Sequence, residues 1–233
     1  MKLGIFTDSH YSSQEITCGR RYNSRSLDKI RRALADFRAA GCDLVLCLGD
    51  LIDREESHDL EVENLRTVAE ALDAEDIPIY ILRGNHDGFC FTEAEFYEIL
   101  GEDRRPSDLT AENKTLLFLD ACFYADEAPY DPAGSHDWTD TCLPRPEALA
   151  NRLSADQGDI YVFLHQNIDP NIREDHRVKN ADAVREILEQ SGCVRRVFQG
   201  HYHRGAENEH NGILYTTFSA MCESENAVYI VEL

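Results

Sequence analysis

The chain has 233 residues, 42% of them apolar, and 44 acidic against 23 basic side chains give a formal net charge of -21. That length suits one well-filled core, and the apolar runs stop far short of the roughly 20 residues that a membrane helix needs. So large an acidic excess disfavours nucleic acid, whose binding relies on neutralising many phosphates with Lys and Arg, while a small anionic substrate stays compatible if bound divalent cations reverse the sign locally. With no Pro/Gly/Ser-rich linker near the middle, residues 1–233 read as a single domain. The start, MKLGIFTDSH, reaches Asp8 before a secretory apolar region develops, so a cytoplasmic location is expected. Eight cysteines are scattered without a CxxC pair, which fits reduced thiols better than a disulfide framework or a thiolate zinc site. Cys47, inside LVLCLG, fits a small buried hydrophobe.

In chain order, KLGIFTD (2–8) reads as a strand and SLDKIRRALADF (26–37) as a helix, with Leu27, Ile30, Leu34 and Phe37 on one face. DLVLCLGD (43–50) is the second strand, ENLRTVAEAL (63–72) the second helix and IPIYILRGNHD (77–87) the third strand. EAEFYEIL (93–100) is helical and KTLLFLDACF (114–123) a strand; an acidic loop, 125–141, precedes the helix PEALANRL (146–153). IYVFLHQ (160–166) is strand-like, and the helix NADAVREILEQ (180–190) is stopped by Gly192. VRRVFQGHYH, GILYTTFSA and NAVYIVEL then read as three strands without a helix between them, which suggests antiparallel pairing and a mixed sheet system in an α/β protein.

Five apolar runs deliver Asp, Asn or His at their carboxyl ends: Asp8 and His10, Asp50 and Asp53, Asn85 and His86, His165, and His201 and His203. Ligands of open α/β sheets collect at those ends, so residues spanning most of the chain could converge. Each piece alone is weak, since a lone His at a strand end is more often a hydrogen-bonded structural residue and GNHD alone reads as a turn. Five of the nine histidines nevertheless fall here, with carboxylates and Asn85. Oxygen and imidazole donors without thiolates suit Mn, Fe, Zn or Co.

Asp8-Ser9-His10, Gly49-Asp50-Leu51-Ile52-Asp53, Gly84-Asn85-His86-Asp87, His165 and Gly200-His201-Tyr202-His203 together closely resemble the calcineurin-like metallophosphoesterases, with all five blocks in the family's order. The resemblance implies a four-layer α/β/β/α sandwich with two mixed β-sheets and a two-metal centre at one end. It places Asp8, His10 and His203 on one metal, Asn85, His165 and His201 on the other, and Asp50 between them, with one carboxylate oxygen per metal. Gln166 departs from many relatives, which carry a second histidine or a proline nearby.

Two cations roughly 3.5–4 Å apart would generate a bridging hydroxide at neutral pH and clamp the phosphoryl oxygens for in-line attack. His86, one residue beyond a ligand, would face the substrate as the acid that protonates the leaving oxygen, and Asp53, by the resemblance, would orient it. Glycines 49, 84 and 200 would let the backbone turn sharply beside the metals. Arg20, Arg21 and Arg25 either reach a second phosphate, as a fainter resemblance to manganese-dependent ADP-ribose and CDP-alcohol diphosphatases implies, or form a solvated approach to a helix. Phe89, Phe91 and Trp138 either stack on a base or pack, and His136, His176 and His210 read as exposed loop residues. The expected function is metal-dependent hydrolysis of a small-molecule phosphodiester or nucleotide diphosphate, with a phosphomonoesterase or protein phosphatase as runner-up, a nuclease third, and a non-catalytic adaptor of the same fold as the non-enzymatic competitor. Metal identity, substrate and oligomeric state are left open, and specificity is expected in the loops 11–23, 88–92, 125–141 and 166–180.

Overall fold

Alternation along the strands decides the layering. In β1 (Lys2–Phe6) and β2 (Leu44–Cys47), Leu3, Ile5, Leu44 and Leu46 face one way, while Phe6, Val45 and Cys47 face the other. The computed structural model, which describes residues 1–134, 136–153 and 158–233, gives each face its own cover. β1, β2 and β3 (Ile79–Ile81) run parallel, and β10 (Tyr229–Glu232) joins the free edge of β1 antiparallel. The second sheet has the order β4 (Leu109–Ala111), β5 (Lys114–Phe118), β6 (Asp159–Phe163), β7 (Val194–Gln199), β9 (Ile213–Ser219), β8 (Arg204–His210).

The two sheets meet through Leu3, Ile5, Leu44, Leu46, Leu48, Leu82, Leu116, Phe118, Phe163, Phe198 and Phe218. At about 1.5–3 kcal/mol for each large side chain buried, this layer fixes one sheet against the other. Outside the first sheet lie α1 (Ser26–Ala39), α2 (His58–Leu72) and α4 (Glu93–Leu100), which contribute Ile30, Leu34, Phe37, Leu65, Val68 and Phe96. α6 (Ala181–Ser191) covers the second sheet with Val184 and Leu188, and Gly192 ends it in the left-handed conformation that favours glycine. The result is the four-layer α/β/β/α sandwich with two mixed sheets.

Several elements differ from expectation for physical reasons. The third strand stops at Ile81, and GNHD opens a short helix, α3 (Asn85–Cys90), because the Asp87 carboxylate folds back onto the Gly84 N–H (2.9 Å) and closes its first turn. The next strand ends at Phe118 instead of Phe123 and is preceded by β4, joined to it through Glu112 and Asn113, both with positive φ as a tight hairpin requires. β8, RGAENEH, escaped notice because it has no apolar alternation; it is the polar edge of its sheet, antiparallel to β9. β7 and β9 are parallel, so the C-terminal strands are only partly an antiparallel run. PEALANRL splits into α5 (Pro146–Leu149) and a 3-10 turn over Ala150–Arg152.

Candidate metal centre

The loops after β1, β2, β6 and β7 are stitched to one another by their backbones. Asp8 N–H donates to Gly49 O (3.0 Å), His10 N–H to Asp50 O (2.9 Å) and Gly200 N–H to His165 O (3.0 Å). Asp8, His10, Asp50 and His201 all have φ between 45° and 65°. A left-handed conformation costs a residue with a side chain about 1–2 kcal/mol, and its concentration here identifies strain held in place for a purpose. Two glycines are needed for close approach: a Cβ on Gly84 would lie 2.1 Å from Asp50 Oδ1, and one on Gly200 2.2 Å from Thr7 Oγ1. Only Gly49, of the three singled out in the sequence, has a positive φ.

The seven expected donors meet at one floor, six of them buried and His203 partly so. In one group, His10 Nε2 and His203 Nε2 face each other at 3.2 Å, His203 Nε2 lies 3.3 Å and His10 Nε2 3.8 Å from Asp8 Oδ1, and His10 Nε2 lies 3.5 Å from Asp50 Oδ2. In the other, His165 Nε2 is 3.1 Å from the same Asp50 Oδ2. Asp50, His165 and His201 present ligand atoms within 4.8 Å of one another, and Asn85 is fully buried with both amide atoms unpartnered. Asp50 Oδ1 is taken by the His86 N–H at the start of α3 (2.8 Å), so a single oxygen, Oδ2, faces both groups instead of one oxygen facing each.

The imidazoles are oriented from behind. His165 Nδ1 donates to Leu48 O (2.8 Å), and His203 Nδ1 lies 2.6 Å from Glu223 Oε1, so in each neutral ring the lone pair is on the Nε2 that faces inward. His201 Nε2 and the Asn85 amide are buried without a hydrogen-bond partner, and His165 Nε2 meets only the Asp50 carboxylate. Buried polar atoms are rarely left so, and this inward ring of orphaned donors fits two divalent ions that share Asp50.

Charge in the floor points the same way. Burial opposes ionisation of Asp8, but bonding to His10 and His203 holds its carboxyl well below the ordinary range; burial likewise opposes Asp50, and the charges of His165 and His86 outweigh it. Burial disfavours charged His165, yet Asp50 lifts its pKa to about 9; His203 is lifted to about 9 against burial by Asp8 and Glu223. Burial, with Arg21 and His86 nearby, lowers His10 to about 4. The carboxylates thus draw positive charge to two imidazoles, a demand that divalent ions meet while releasing those protons.

Asp53 holds His86. Its Oδ1 lies 2.7 Å from His86 Nδ1, and its Oδ2 accepts from Thr17 Oγ1 (3.1 Å), Asn23 Nδ2 (3.1 Å) and Arg21 Nη1 (3.4 Å). Burial opposes charge on His86, but Asp50 and the Asp53 bond prevail and raise its pKa. Asp87 braces the floor by accepting from the Leu51 and Ile52 N–H groups at 3.0 and 3.2 Å. Burial and Asp50 push its carboxyl up to about 7 against those N–H bonds.

Above the floor opens a cleft of about 510 Å³, lined among others by Arg20, Arg21, Trp138, His176, Tyr202 and Glu223. Cys18 and Gly19, both with positive φ, form the tight turn from Thr17 to Arg21 that presents Arg20 and Arg21. Arg25 lies apart, stacked over Tyr22 at 4.9 Å. Phe89 and Phe91 are buried in packing, which leaves Trp138, 37% exposed, as the aromatic of the three open to a ligand. His176, expected to be exposed, is half-buried and packs between Trp138 (5.0 Å) and His201 (5.5 Å). His136, against Phe89, and His210, at the end of β8, are likewise half-buried rather than exposed, and Ser135 in the 125–141 loop lies outside the described residues. Gln166 is fully buried and does not reach the cleft lining. Glu223 and Cys222 were missed by sequence reasoning because they lie in a turn with no motif, about 20 residues beyond His203.

A profile of the calcineurin-like phosphoesterase family matches residues 1–205. The chain belongs to that family. A dimetal phosphatase from Danio rerio superposes with a TM-score of 0.86 at 20% identity, over 100% of this chain and 92% of that one. An archaeal phosphodiesterase gives 0.52 at 14% identity (100% and 93%), and GAP50, the anchor in the inner membrane complex of Plasmodium, gives 0.61 at 13% (97% and 72%). At such identities the likeness to these three structures is one of fold. No curated protein sequence matches this one. All eight cysteines are free, and among the described residues no helix is long and apolar enough to cross a membrane.

Proposed function

We propose that this calcineurin-like protein is a single-domain hydrolase, residues 1–233, that uses two metal ions to cleave a phosphodiester or a nucleotide diphosphate of small size. The observation that carries the proposal is the convergence of two groups of buried donors on one oxygen, Asp50 Oδ2. In this reading Asp8, His10 and His203 hold one ion, Asn85, His165 and His201 the other, and Asp50 both. Mn, Fe, Zn or Co would suit the oxygen and imidazole donors. When bound, the ion pair supplies a nucleophile at neutral pH and compensates charge on the phosphoryl oxygens.

The chain's own residues do the rest. With Nδ1 engaged by Asp53, the half-exposed His86 presents Nε2 to the cleft, where it protonates the leaving oxygen, and Asp53 keeps the ring charged and oriented. A cleft of about 510 Å³ has room for groups on both sides of a phosphate, and Arg20, Arg21 and Trp138 on its wall favour a substrate larger than a simple monoester. The free thiols agree with a reducing, cytoplasmic setting, and the charge of -21 disfavours nucleic acid. A competent residue at every donor position favours an enzyme over an adaptor.

The test is hydrolysis of a nitrophenyl phosphodiester and the matching monoester by metal-stripped protein, with Mn²⁺ and then with a chelator. Chelator-sensitive cleavage that favours the diester supports the proposal. Preference for the monoester promotes the phosphatase reading, and cleavage of neither by protein carrying two ions points to an adaptor.

A further inference from the structure

The half of the floor built on Asp8, His10 and His203 has one donor more than the motifs supply. The turn after β9 brings in Cys222, whose Sγ and one ring nitrogen each of His10 and His203 lie within 4.8 Å of one another. Cys222 is fully buried, and the backbone sets its position: its N–H donates to the Asp8 carbonyl (3.0 Å), and its own carbonyl accepts from the Tyr22 N–H (3.0 Å). A thiol packed as a small hydrophobe ordinarily sits among apolar side chains; this one sits against two imidazoles and the backbone of an aspartate. Cys122 and Cys142 give their thiols to the carbonyls of Gly84 (3.1 Å) and Tyr124 (2.8 Å). Among the described residues Cys222 makes no such bond.

We propose that Cys222 is a sulfur donor to the ion held by Asp8, His10 and His203, which makes the two halves of the metal centre chemically unequal. Bonds of about 2.3 Å to sulfur and 2.0–2.1 Å to imidazole put the two donor atoms of a tetrahedral site about 3.6 Å apart, so closing in from the 4.8 Å envelope takes at most about an ångström of side-chain adjustment. Coordination replaces the S–H bond with a sulfur–metal bond and releases the proton to solvent. The other group, Asp50, His165 and His201 with Asn85, offers oxygen and imidazole alone. Thiolate favours Zn²⁺ or Co²⁺ over Mn²⁺, so the halves should select different ions, the softer at Cys222.

The inference rests on the two-metal reading, and the experiment separates the two. Full-length, metal-stripped protein is loaded with Co²⁺, the bound metal is counted, and the near-ultraviolet absorption is recorded for the wild type, Cys222→Ser, Cys222→Ala and Cys18→Ser. Cys18 lines the cleft and is the control thiol. The expected result is two cobalt ions and a thiolate-to-cobalt charge-transfer band that survives in Cys18→Ser and is lost in both Cys222 variants, which still bind cobalt. Two bound ions without the band in the wild type, a judgement that needs no variant, would overturn the role of Cys222 alone. So would a band that persists in either Cys222 variant. Failure to bind cobalt at all would overturn the two-metal reading together with it.

Discussion

The floor of the cleft and its rim obey different rules. On the floor, the donor side chains are almost wholly excluded from solvent, four of them sit on residues with left-handed backbone, and the loops that carry them are hydrogen-bonded to one another. At the rim, Arg20 is 63% exposed and leans on Glu223 at 3.0 Å, Arg173 pairs with Asp175, and Trp138 is over a third exposed. A floor that has to place fixed charges tolerates few residue types in few positions, whereas a rim that has only to contact a ligand tolerates many. Substitutions should therefore cost activity in proportion to depth.

Asp50→Ala should break the floor outright, because one oxygen serves both groups: both ions are lost and kcat/KM falls by at least about a thousandfold. Retention of either ion in metal analysis would show that the halves are independent. One step up, His86→Ala should keep both ions and lose about 10²–10⁴-fold in kcat. In Asp53→Asn one of the two carboxylates that raise the His86 pKa, Asp50 being the other, is gone. An acid is active while protonated, so its activity falls as pH rises through its pKa, and the alkaline limb of the rate profile should move to lower pH.

Much of the floor was legible in the sequence because its chemistry restricts composition. Asp8, Asp50, Asn85, His165 and His201 follow apolar runs directly, and strand ends in one sheet system gather in one place. The four layers were legible only through the resemblance. Apolar runs revealed β1, β2 and β6 but not β8, whose pairing with β9 asks for no apolar face. The helix begun at Asn85 depends on Asp87 returning to the Gly84 N–H, a tertiary detail beneath poor helix propensities. Glu223 was invisible because any turn could carry a carboxylate; only the fold brings it behind His203.

Glu223 gives a smaller, sharper test of the boundary between floor and rim. Its removal in Glu223→Ala should weaken one ion by about 10–100-fold while leaving the other, and Glu223→Gln, which still accepts from Nδ1, should recover much of the loss. Binding of both ions should also tighten with pH up to about 9, where His165 and His203 lose their protons, and calorimetry in buffers of different ionisation enthalpy should detect proton release. Smallest of all, Trp138→Ala should change kcat/KM by about tenfold or less for an aryl diester, in line with roughly 0.5–1.5 kcal/mol for an aromatic pair, and leave a methyl ester unaffected.

The most direct test of the account is a count of Mn²⁺ bound by the metal-stripped protein, read together with its electron paramagnetic resonance. Two ions per chain that are magnetically coupled are expected, since Asp50 Oδ2 faces both groups. One ion, or two uncoupled ions, would contradict a centre built around that single oxygen.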